Sequence, residues 1–154
     1  MSRILALDTA TEACSAAVLD GERLVARYRI APREHAQLIL SMIDEVLAEA
    51  GLKLTDLDAI AFGRGPGGFT GVRIATSVAQ GLGFGAGKPV VPVSTLRAIA
   101  QGAARERGAE AVLAAIDARM GEVYAGAFRR GPDGLMHAVA AEWVCKPEVL
   151  AAPE

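Results

Sequence analysis

Two aspartates end similar apolar runs, and carboxylates repeated in the same pattern are candidates for a shared chemical role. Asp8 follows Ile4-Leu-Ala-Leu, Asp117 follows Val112-Leu-Ala-Ala-Ile, and a glutamate comes shortly after each. A single aspartate at the end of a strand often only caps the following turn. Because two occur in the same pattern, we interpret them as a candidate functional pair rather than as two unrelated turn caps.

A glycine-rich segment, Gly63-Arg-Gly-Pro-Gly-Gly68, satisfies the GxGxxG pattern between a predicted strand and a predicted helix. Glycine lets backbone N–H groups approach a phosphate that a Cβ would obstruct. A dinucleotide site also needs an acidic residue about 20 positions later, and none occurs in residues 59–105. No Gly-Lys-Ser/Thr follows, so it is not a P-loop either. An anion cradle at the helix start and a simple tight turn both remain open.

The side chains of other common catalytic and metal sites are sparse. Two histidines and two cysteines lie far apart in the sequence, without CxxC or zinc-site spacing. Cys14 falls within a predicted buried strand, where burial raises a thiol's pKa and makes it a poor nucleophile. His35 is interpreted as a surface residue of a helix start. We therefore predict two free thiols, no catalytic residues and no metal ligands of these types.

The first half of the chain alternates strands and helices that would position these residues. A meander of three strands comes first, with a type I′ turn at Asp20-Gly21. In its third strand the apolar residues Leu24, Ala26, Tyr28 and Ile30 alternate with mostly basic ones, which predicts that the apolar face is covered. The predicted strands are Ile4–Leu7, Ala13–Leu19, Leu24–Ile30, Leu57–Phe62 and Val90–Val93.

Three helices are predicted between and after these strands. The first, over 33–50, has a wide apolar stripe and ends at Gly51. The second has Thr70 as N-cap and is rich in small residues, which costs helix propensity unless another backbone packs closely against it. The third is capped by Ser94 or Thr95 and ends at Gly108. The resulting order, βββαβαβα, favours a mixed sheet with helices on its faces.

After Gly108 the opening pattern of the chain starts again. Predicted strands Val112–Asp117 and Val123–Phe128 are followed by a turn at Pro132-Asp133-Gly134, a third strand over Leu135–Val144 and a helix start at Lys146-Pro147-Glu148. We therefore predict a complete first lobe over residues 1–108 and the opening meander of a similar second lobe over residues 109–154.

Composition excludes several classes of protein. The chain is 52% apolar and 22% charged with a net charge of −2, so it is neither disordered nor fibrous. The longest apolar runs are too short to span a bilayer or to form a secretory signal, which predicts a soluble cytoplasmic protein. Residues 59–105 hold five basic and no acidic residues, as expected for a buried segment or for one that faces an anion. Aromatic residues make up only 5%, which disfavours a nucleic-acid-binding surface.

Duplicated lobes that open with a strand ending in aspartate resemble the actin, sugar-kinase and heat-shock ATPase superfold. In that group two aspartates face each other across a cleft and hold the metal-bound phosphates of a nucleotide, and Asp8 and Asp117 match these positions. The resemblance implies an α/β fold, actin-like and related to ribonuclease H. The chain departs from the pattern at Ala10, where those ATPases carry glycine, and at Glu12, whose charge would repel phosphate. Independent ATP hydrolysis is therefore not expected.

Five segments make the resemblance more specific, and together they are similar to the TsaB (YeaZ) family. They are Ile4-Leu-Ala-Leu-Asp-Thr-Ala-Thr11, Pro32-Arg-Glu-His35, Gly63-Arg-Gly-Pro-Gly-Gly-Phe-Thr-Gly-Val-Arg73, Val93-Ser-Thr-Leu96 and Asp117-Ala-Arg-Met-Gly-Glu-Val-Tyr124. Members of this family are longer, and they are non-catalytic partners and degenerate paralogues of the enzyme TsaD. With TsaC, TsaD and TsaE they make threonylcarbamoyladenosine beside the anticodon of tRNA. TsaD-like enzymes carry a metal-binding HxxxH pattern, which neither His35 nor His137 has.

The resemblance implies an accessory subunit that binds and activates TsaD, works with TsaE, forms a homodimer when alone and meets tRNA only indirectly. It implies no cofactor of its own, although ATP or ADP with Mg²⁺ at a subunit junction stays open. The vestigial nucleotide cleft would comprise Asp8, Thr9, Thr11, Gly65, Gly67, Gly68, Thr70 and Asp117. The partner surface on the first two helices would comprise Leu38, Met42, Val46, Ala75, Val78, Ala79 and Leu82.

Two other functions remain as alternatives. A small actin-like ATPase or kinase would use Asp8 and Asp117 for Mg²⁺ and Gly65–Gly68 for phosphate. A peptidase is a weaker alternative, because the sequence offers no convincing nucleophile.

Overall fold

A five-stranded sheet with two helices forms the first of two compact units, residues 1–93, in a computed structural model that describes residues 1–153. Its elements are β1 (Arg3–Asp8), β2 (Ala13–Asp20), β3 (Arg23–Ile30), α1 (His35–Ala50), β4 (Ala59–Gly63), α2 (Phe69–Ala86) and β5 (Val90–Val93). A short 3-10 helix, Leu54–Asp56, precedes β4. The order of these elements confirms the alternation predicted from the sequence.

The sheet has the strand order β3-β2-β1-β4-β5. Strands β1, β2 and β3 form an antiparallel meander, whereas β4 and β5 run parallel to β1. Each parallel strand is reached through a helix, as a crossover connection requires. The ends of β1 and β4 consequently lie side by side, with Leu7 paired to Phe62.

One face of this sheet packs on α1 and α2 and forms the core of the first unit. Alternate strand residues such as Leu5, Val18 and Ile60 are fully buried there. The helices contribute the apolar stripe that the sequence predicted, which is wide because α1 contacts both the sheet and α2. The fully or nearly buried helix residues are Ile39, Met42, Ile43, Val46, Leu47, Ala75 and Ala79.

The prediction for β3 was wrong about which face is covered. Val25 is buried, whereas Leu24, Tyr28 and Ile30 are 62%, 68% and 58% exposed. The side of β3 toward α1 carries Val25 and Arg27, and Arg27 bonds Glu45 and Glu49 of α1 at 3.1 and 2.5 Å. An arginine can cover apolar surface with its stem while its charged end reaches a partner, so the basic face is the covered one.

The turn between β2 and β3 also differs from the prediction. Asp20 pairs with Arg23 inside the ladder, so the two loop residues are Gly21 and Glu22. Only Gly21 has a positive φ, +62°. This places the left-handed residue first, as in a type II′ turn rather than type I′.

The ends of the helices agree with the sequence in part. Gly51 and Gly108 are left-handed C-caps, and the Ser94 hydroxyl accepts a hydrogen bond from the Arg97 N–H as an N-cap. Thr70 is not an N-cap, because α2 begins at Phe69 after Gly68. Helix α1 begins at His35 rather than Arg33, since Arg33 has a φ of +67° and is not helical.

The second unit begins at Ser94 and consists of one helix and a small antiparallel sheet. Its elements are α3 (Thr95–Arg107), β6 (Ala111–Arg119), β7 (Glu122–Arg130), β8 (Met136–Ala138) and β9 (Trp143–Cys145). Strand β7 is central and pairs with all three others, with Ala125 opposite Trp143 in β9. Helix α3 covers one face by packing Leu96 and Ala100 against a core that includes Phe128 and Met136.

Three sequence predictions differ from this second unit. The strand predicted over 135–144 is broken into β8 and β9, which both pair with β7. The helix start at Lys146 yields only a 3-10 turn, Pro147–Val149. Helix α3, which was predicted to close a first lobe over 1–108, lies in the second unit because its apolar stripe packs on β6 and β7.

Among the described residues, 1–153, no helix is both long enough and apolar enough to cross a bilayer.

Candidate functional site

Asp8 lies at the end of β1 in a closely packed, partly buried position. Its Oδ1 accepts a hydrogen bond from the N–H of Ala10 at 2.8 Å. Burial raises the pKa of the Asp8 carboxyl, while the bond from Ala10 and the charge of His35 act to lower it. A Cβ at Gly63, in the neighbouring strand β4, would overlap the Asp8 carboxylate. The first glycine of the glycine-rich loop is therefore needed to make room for Asp8.

The rest of the glycine-rich loop, residues 63–71, packs directly on the backbone that follows Asp8. Gly68 donates its N–H to the carbonyl of Ala10 at 2.7 Å, and a Cβ at Gly67 would overlap the same carbonyl. Thr9 is fully buried and donates its hydroxyl to the carbonyl of Gly71 at 2.5 Å. A Cβ at Gly71 would overlap the carbonyl of Thr9.

These contacts bring four of the predicted cleft residues together, namely Asp8, Thr9, Gly67 and Gly68. The N–H groups of Ala10 and Gly68 already donate to acceptors within the chain. The space that the glycines leave open is filled by the chain's own backbone. The glycines therefore allow a close contact between the glycine-rich loop and the backbone that follows Asp8.

The remaining predicted residues of the first unit have other roles. Thr11 accepts a hydrogen bond from Ala13 N–H through its hydroxyl at 3.3 Å. Gly65 adopts a φ of +90°, which an L side chain rarely tolerates. Thr70 is exposed on the first turn of α2, on the side of a surface cavity.

His35 is buried, so its interpretation as a surface residue was wrong. It is 8% exposed, and its Nε2 lies 2.8 Å from the carbonyl oxygen of Thr11. The sequence did contain a signal for this position. His35 lies four residues before Ile39 and therefore on the apolar stripe of α1.

Asp117 belongs to the second unit and lies close to the end of β6. Its side chain is 69% exposed, and its Oδ1 accepts a hydrogen bond from the N–H of Arg119 at 2.8 Å. Arg119 and Met120 both have a positive φ, +65° and +53°. Asp117 therefore caps a strained turn, and its pairing with Asp8 in one site stays a prediction.

Four of the seven predicted partner residues are buried inside the first unit, so the prediction was wrong for them. Met42 is 7% exposed, and Val46, Ala75 and Ala79 are 0% exposed. These side chains fill the space between the helices and the sheet, and a partner cannot contact them directly. The other three, Leu38, Val78 and Leu82, are partly buried against the same core.

The outer surface of the same two helices carries apolar residues that the sequence reasoning missed. A cavity of about 430 Å³ lies between α1 and α2. Leu40 and Phe69 beside it are 52% and 71% exposed, and the Arg73 guanidinium lies 3.7 Å from the centre of the Phe69 ring. The residues that line the cavity are Ala36, Leu40, Phe69, Thr70, Arg73, Ile74, Ser77 and Val78. Leu40 could have been found as an apolar residue outside the buried stripe.

The second half of α2 leaves small residues and one large aromatic residue exposed. Phe84 is 94% exposed. A Cβ at Gly81 or Gly85 would meet no atom within 4 Å, whereas one at Gly83 would meet Val90 Cγ1 at 2.6 Å. Only Gly83 is therefore explained by packing within the chain.

Within residues 1–153, no three His, Cys, Asp or Glu side chains lie close enough together to hold a metal ion. Both cysteines are free thiols, and burial raises the pKa of the Cys14 thiol.

Comparison with known proteins gives consistent results. A family model described as "TsaD: tRNA N6-adenosine threonylcarbamoyltransferase" matches residues 27–153. The "tRNA threonylcarbamoyladenosine biosynthesis protein TsaB" of Escherichia coli K12 is 53% identical over 148 residues, which are 96% of this chain and 64% of that protein. The Haemophilus influenzae protein of the same name is 50% identical over 152 residues, with 94% and 64% covered. The chain thus spans about two thirds of the length of these relatives, 64% in each case.

Solved structures agree with this assignment. YeaZ from Pseudomonas aeruginosa superposes with a TM-score of 0.96 and is 54% identical, covering 100% of this chain and 72% of that chain. A ROK hexokinase from Thermus thermophilus is 21% identical with a TM-score of 0.51 over 86% of this chain and 49% of that chain, and it supports the fold alone. The chain therefore has the actin-like fold and belongs to the TsaD-like family, in its TsaB (YeaZ) branch.

Proposed function

We propose that this chain is a non-catalytic accessory subunit in the synthesis of threonylcarbamoyladenosine in tRNA. In this role it binds and activates TsaD, which transfers the threonylcarbamoyl group to the adenosine beside the anticodon. TsaE joins the larger complex, tRNA is contacted only indirectly, and the subunit forms a homodimer when alone. The setting of this reaction is the cytoplasm. The pathway is that printed in the names of the E. coli and H. influenzae relatives.

The observation that carries the non-catalytic role is the closed contact between the two loops at the end of β1. A nucleotide-hydrolysing site needs backbone N–H groups free to bind phosphate. Here Ala10 donates its N–H to Asp8, and Gly68 donates its N–H to Ala10. With Gly67 and Gly71 packed on the carbonyls of Ala10 and Thr9, these glycines present no open cradle.

The outer face of α1 and α2 is the surface that we assign to the partner. Two glycines inside a helix cost about 1 kcal/mol each relative to alanine. Within residues 1–153, a Cβ at Gly81 or Gly85 would meet no atom within 4 Å, so no contact there requires a glycine. A helix of another subunit that packs closely there would account for both, and the exposed rings of Phe69 and Phe84 would supply apolar area to the contact.

Charge is also distributed unevenly over this face. Helix α1 exposes Asp44 one turn after Leu40, whereas Glu45 and Glu49 pair with Arg27 of β3, and α2 has no acidic residue and exposes Arg73. The TsaD family model matches residues 27–153, a range that includes both helices. A TsaD subunit with equivalent helices could therefore dock its own pair against this one, with unlike charges facing each other.

Light scattering after size-exclusion chromatography tests whether this chain assembles with TsaD. It is measured on this chain alone and on a mixture with TsaD from the same organism. We expect a discrete mixed complex that forms at the expense of the homodimer. Gly81→Leu should weaken this association by about tenfold or more, because a large side chain blocks close helix approach. Gly102→Leu in α3 is the matched control, since Gly102 also has open space at its Cβ position, and it should leave the association unchanged.

Activity measurements separate this proposal from an actin-like ATPase or kinase with its own activity. The complex with TsaD should transfer threonylcarbamoyl to tRNA faster than TsaD alone. The isolated chain should not turn over ATP, with Mg²⁺ present. ATP turnover that Asp8→Ala abolishes would refute the non-catalytic role, whereas turnover found only in the mixture would favour a nucleotide at the subunit junction.

A further inference from the structure

The loop between β1 and β2, residues 9–12, contacts the first turns of both helices that form the proposed partner surface. On the α2 side, Thr9 donates its hydroxyl to the carbonyl of Gly71 at 2.5 Å, and the carbonyl of Ala10 accepts from Gly68 N–H at 2.7 Å. Thr9 is fully buried, and Gly71 lacks the Cβ that would push α2 away from it. The start of α2 is therefore held against this loop at a fixed distance.

The α1 side of the same loop is held by a different pair of contacts. The carbonyl oxygen of Thr11 lies 2.8 Å from Nε2 of His35, the first residue of α1. The carbonyl of Glu12 accepts a hydrogen bond from the N–H of Ala31 at 3.0 Å, just before the helix. Both bonds use backbone carbonyls of the loop, so the position of α1 follows the position of the loop backbone.

The cavity between the helices opens next to these two attachments. Ala36 follows His35 directly, and Thr70 precedes Gly71 directly, and both line the cavity. Phe69, the first residue of α2, and Arg73, one turn later, form one wall of the cavity with their stacked side chains. A change in the separation of the two first turns would therefore change the width of this cavity.

We infer that the loop over residues 9–12 sets the distance between the first turns of α1 and α2, and that Thr9 is a positioning residue for the partner surface. This inference rests on the proposed function for the identity of the partner. The part of the molecule where an actin-like ATPase would hold phosphate then serves a different purpose, which is to shape a docking surface.

The first experiment measures the separation of the helices without any partner. Spin labels are placed at Gln37→Cys and Thr70→Cys, two exposed positions in the first turns, in a Cys145→Ser background that leaves buried Cys14 as the other thiol. Thr9→Val removes the hydroxyl at nearly constant volume and should shift or broaden the distance distribution. Thr9→Ser keeps a hydroxyl and should retain the original distribution.

A matched control separates positioning from loss of stability. Val25→Ala removes apolar contacts from β3, where Val25 is 5% exposed, but leaves the contacts of the loop in place. It should lower the unfolding midpoint without moving the distance distribution. An unchanged distribution in Thr9→Val, or the same change in Val25→Ala, would overturn the inference.

The second experiment measures association with TsaD for the same variants without spin labels. Thr9→Val should bind up to about tenfold more weakly, because restoring the helix spacing that TsaD binds would cost at most about the free energy of the lost hydrogen bond within the chain, and Thr9→Ser should restore binding. If the wild-type chain does not bind TsaD, the proposed function fails while the distance measurement still decides the role of the loop. If the distances change and binding does not, Thr9 has no role in positioning the partner surface.

Discussion

The ends of β1 and β6 have the same sequence pattern in different surroundings. Asp8 and Asp117 each follow an apolar strand and accept a hydrogen bond from the N–H two residues later, at 2.8 Å in both cases. Asp8 then lies partly buried against Gly63 at the end of β4, whereas Asp117 stays 69% exposed. The local sequence therefore determines the turn, and the elements that pack on it determine whether the carboxylate is buried.

The two turns also differ in how they accommodate strain. After Asp8, Thr9 and Ala10 are buried and fixed by contacts with the glycine-rich loop. After Asp117, Arg119 and Met120 have left-handed backbone conformations without comparable cover, and Met120 is 97% exposed. The first turn is therefore held by tertiary packing, and the second depends on its own backbone.

The largest expected effect on stability comes from replacing a glycine with alanine at each of the two turns, Gly71 beside the turn after Asp8 and Gly121 in the turn after Asp117. Gly71→Ala should lower the free energy of unfolding by about 3 kcal/mol, because its Cβ would overlap the carbonyl of Thr9. Gly121→Ala has open space but a φ of +75°, so it should cost only about 1 kcal/mol. Urea unfolding followed by circular dichroism measures both.

Gly81→Ala is the control for this pair. Gly81 lies inside α2 with open space around its Cβ position, so alanine should stabilise the isolated chain by about 0.5–1 kcal/mol through helix propensity. Equal losses in the free energy of unfolding for Gly71→Ala and Gly121→Ala would show that the glycine-rich loop does not pack tightly on the turn after β1.

A smaller effect on stability is expected from relieving backbone strain in the turn that follows Asp117. Met120→Gly should raise the free energy of unfolding by about 0.5–1 kcal/mol, because glycine adopts a positive φ without the clash of a side chain. The same change at Ala10, which lies in the packed turn of the first copy, should destabilise the chain. A loss of stability in Met120→Gly would mean that the exposed methionine makes contacts within the chain.

The smallest expected effect concerns the pH dependence of stability. Because burial raises the pKa of Asp8, the folded chain holds this proton more tightly than the unfolded chain does. The free energy of unfolding therefore falls as pH rises from the unfolded pKa, about 3.9, through the raised folded value. Asp8→Asn should remove this loss while its side-chain oxygen still accepts from Ala10, so the free energy of unfolding of the variant should rise relative to that of the wild type across that window.

The measurement compares Asp8→Asn with the wild-type chain. Chemical denaturation at several pH values between 3 and 7 measures both chains. A difference in the free energy of unfolding between Asp8→Asn and the wild type that stays constant or shrinks as pH rises would contradict the effect of burial on Asp8.

Much of the fold could be predicted from the sequence, because strand alternation and helix stop signals are local. Strand β5 was predicted with its observed bounds, and Gly51, Ser94 and Gly108 were placed at helix ends where they occur. The repeat at residue 112 identified the second sheet. These features depend on backbone preferences of a few adjacent residues.

The errors concern contacts between elements that are distant in the sequence. Apolar alternation in β3 cannot show that Arg27 lies against α1, because this depends on the position of Glu45 and Glu49. Helical spacing finds Val46 and Ala79 but cannot distinguish the inner side of a helix pair from its outer side. The glycine-rich loop was recognised from its pattern, but only the fold shows that Thr9 and Ala10 pack against it.

The position of β9 has a practical consequence for measuring these effects. The one tryptophan of the chain, Trp143, lies in this strand and pairs with β7 in the second unit. Tryptophan fluorescence therefore reports on the second unit, whereas far-ultraviolet circular dichroism is dominated by helices, two of which are in the first. Coincident transitions from the two signals would show that the units unfold as one cooperative system, and separate transitions would allow a stability to be assigned to each.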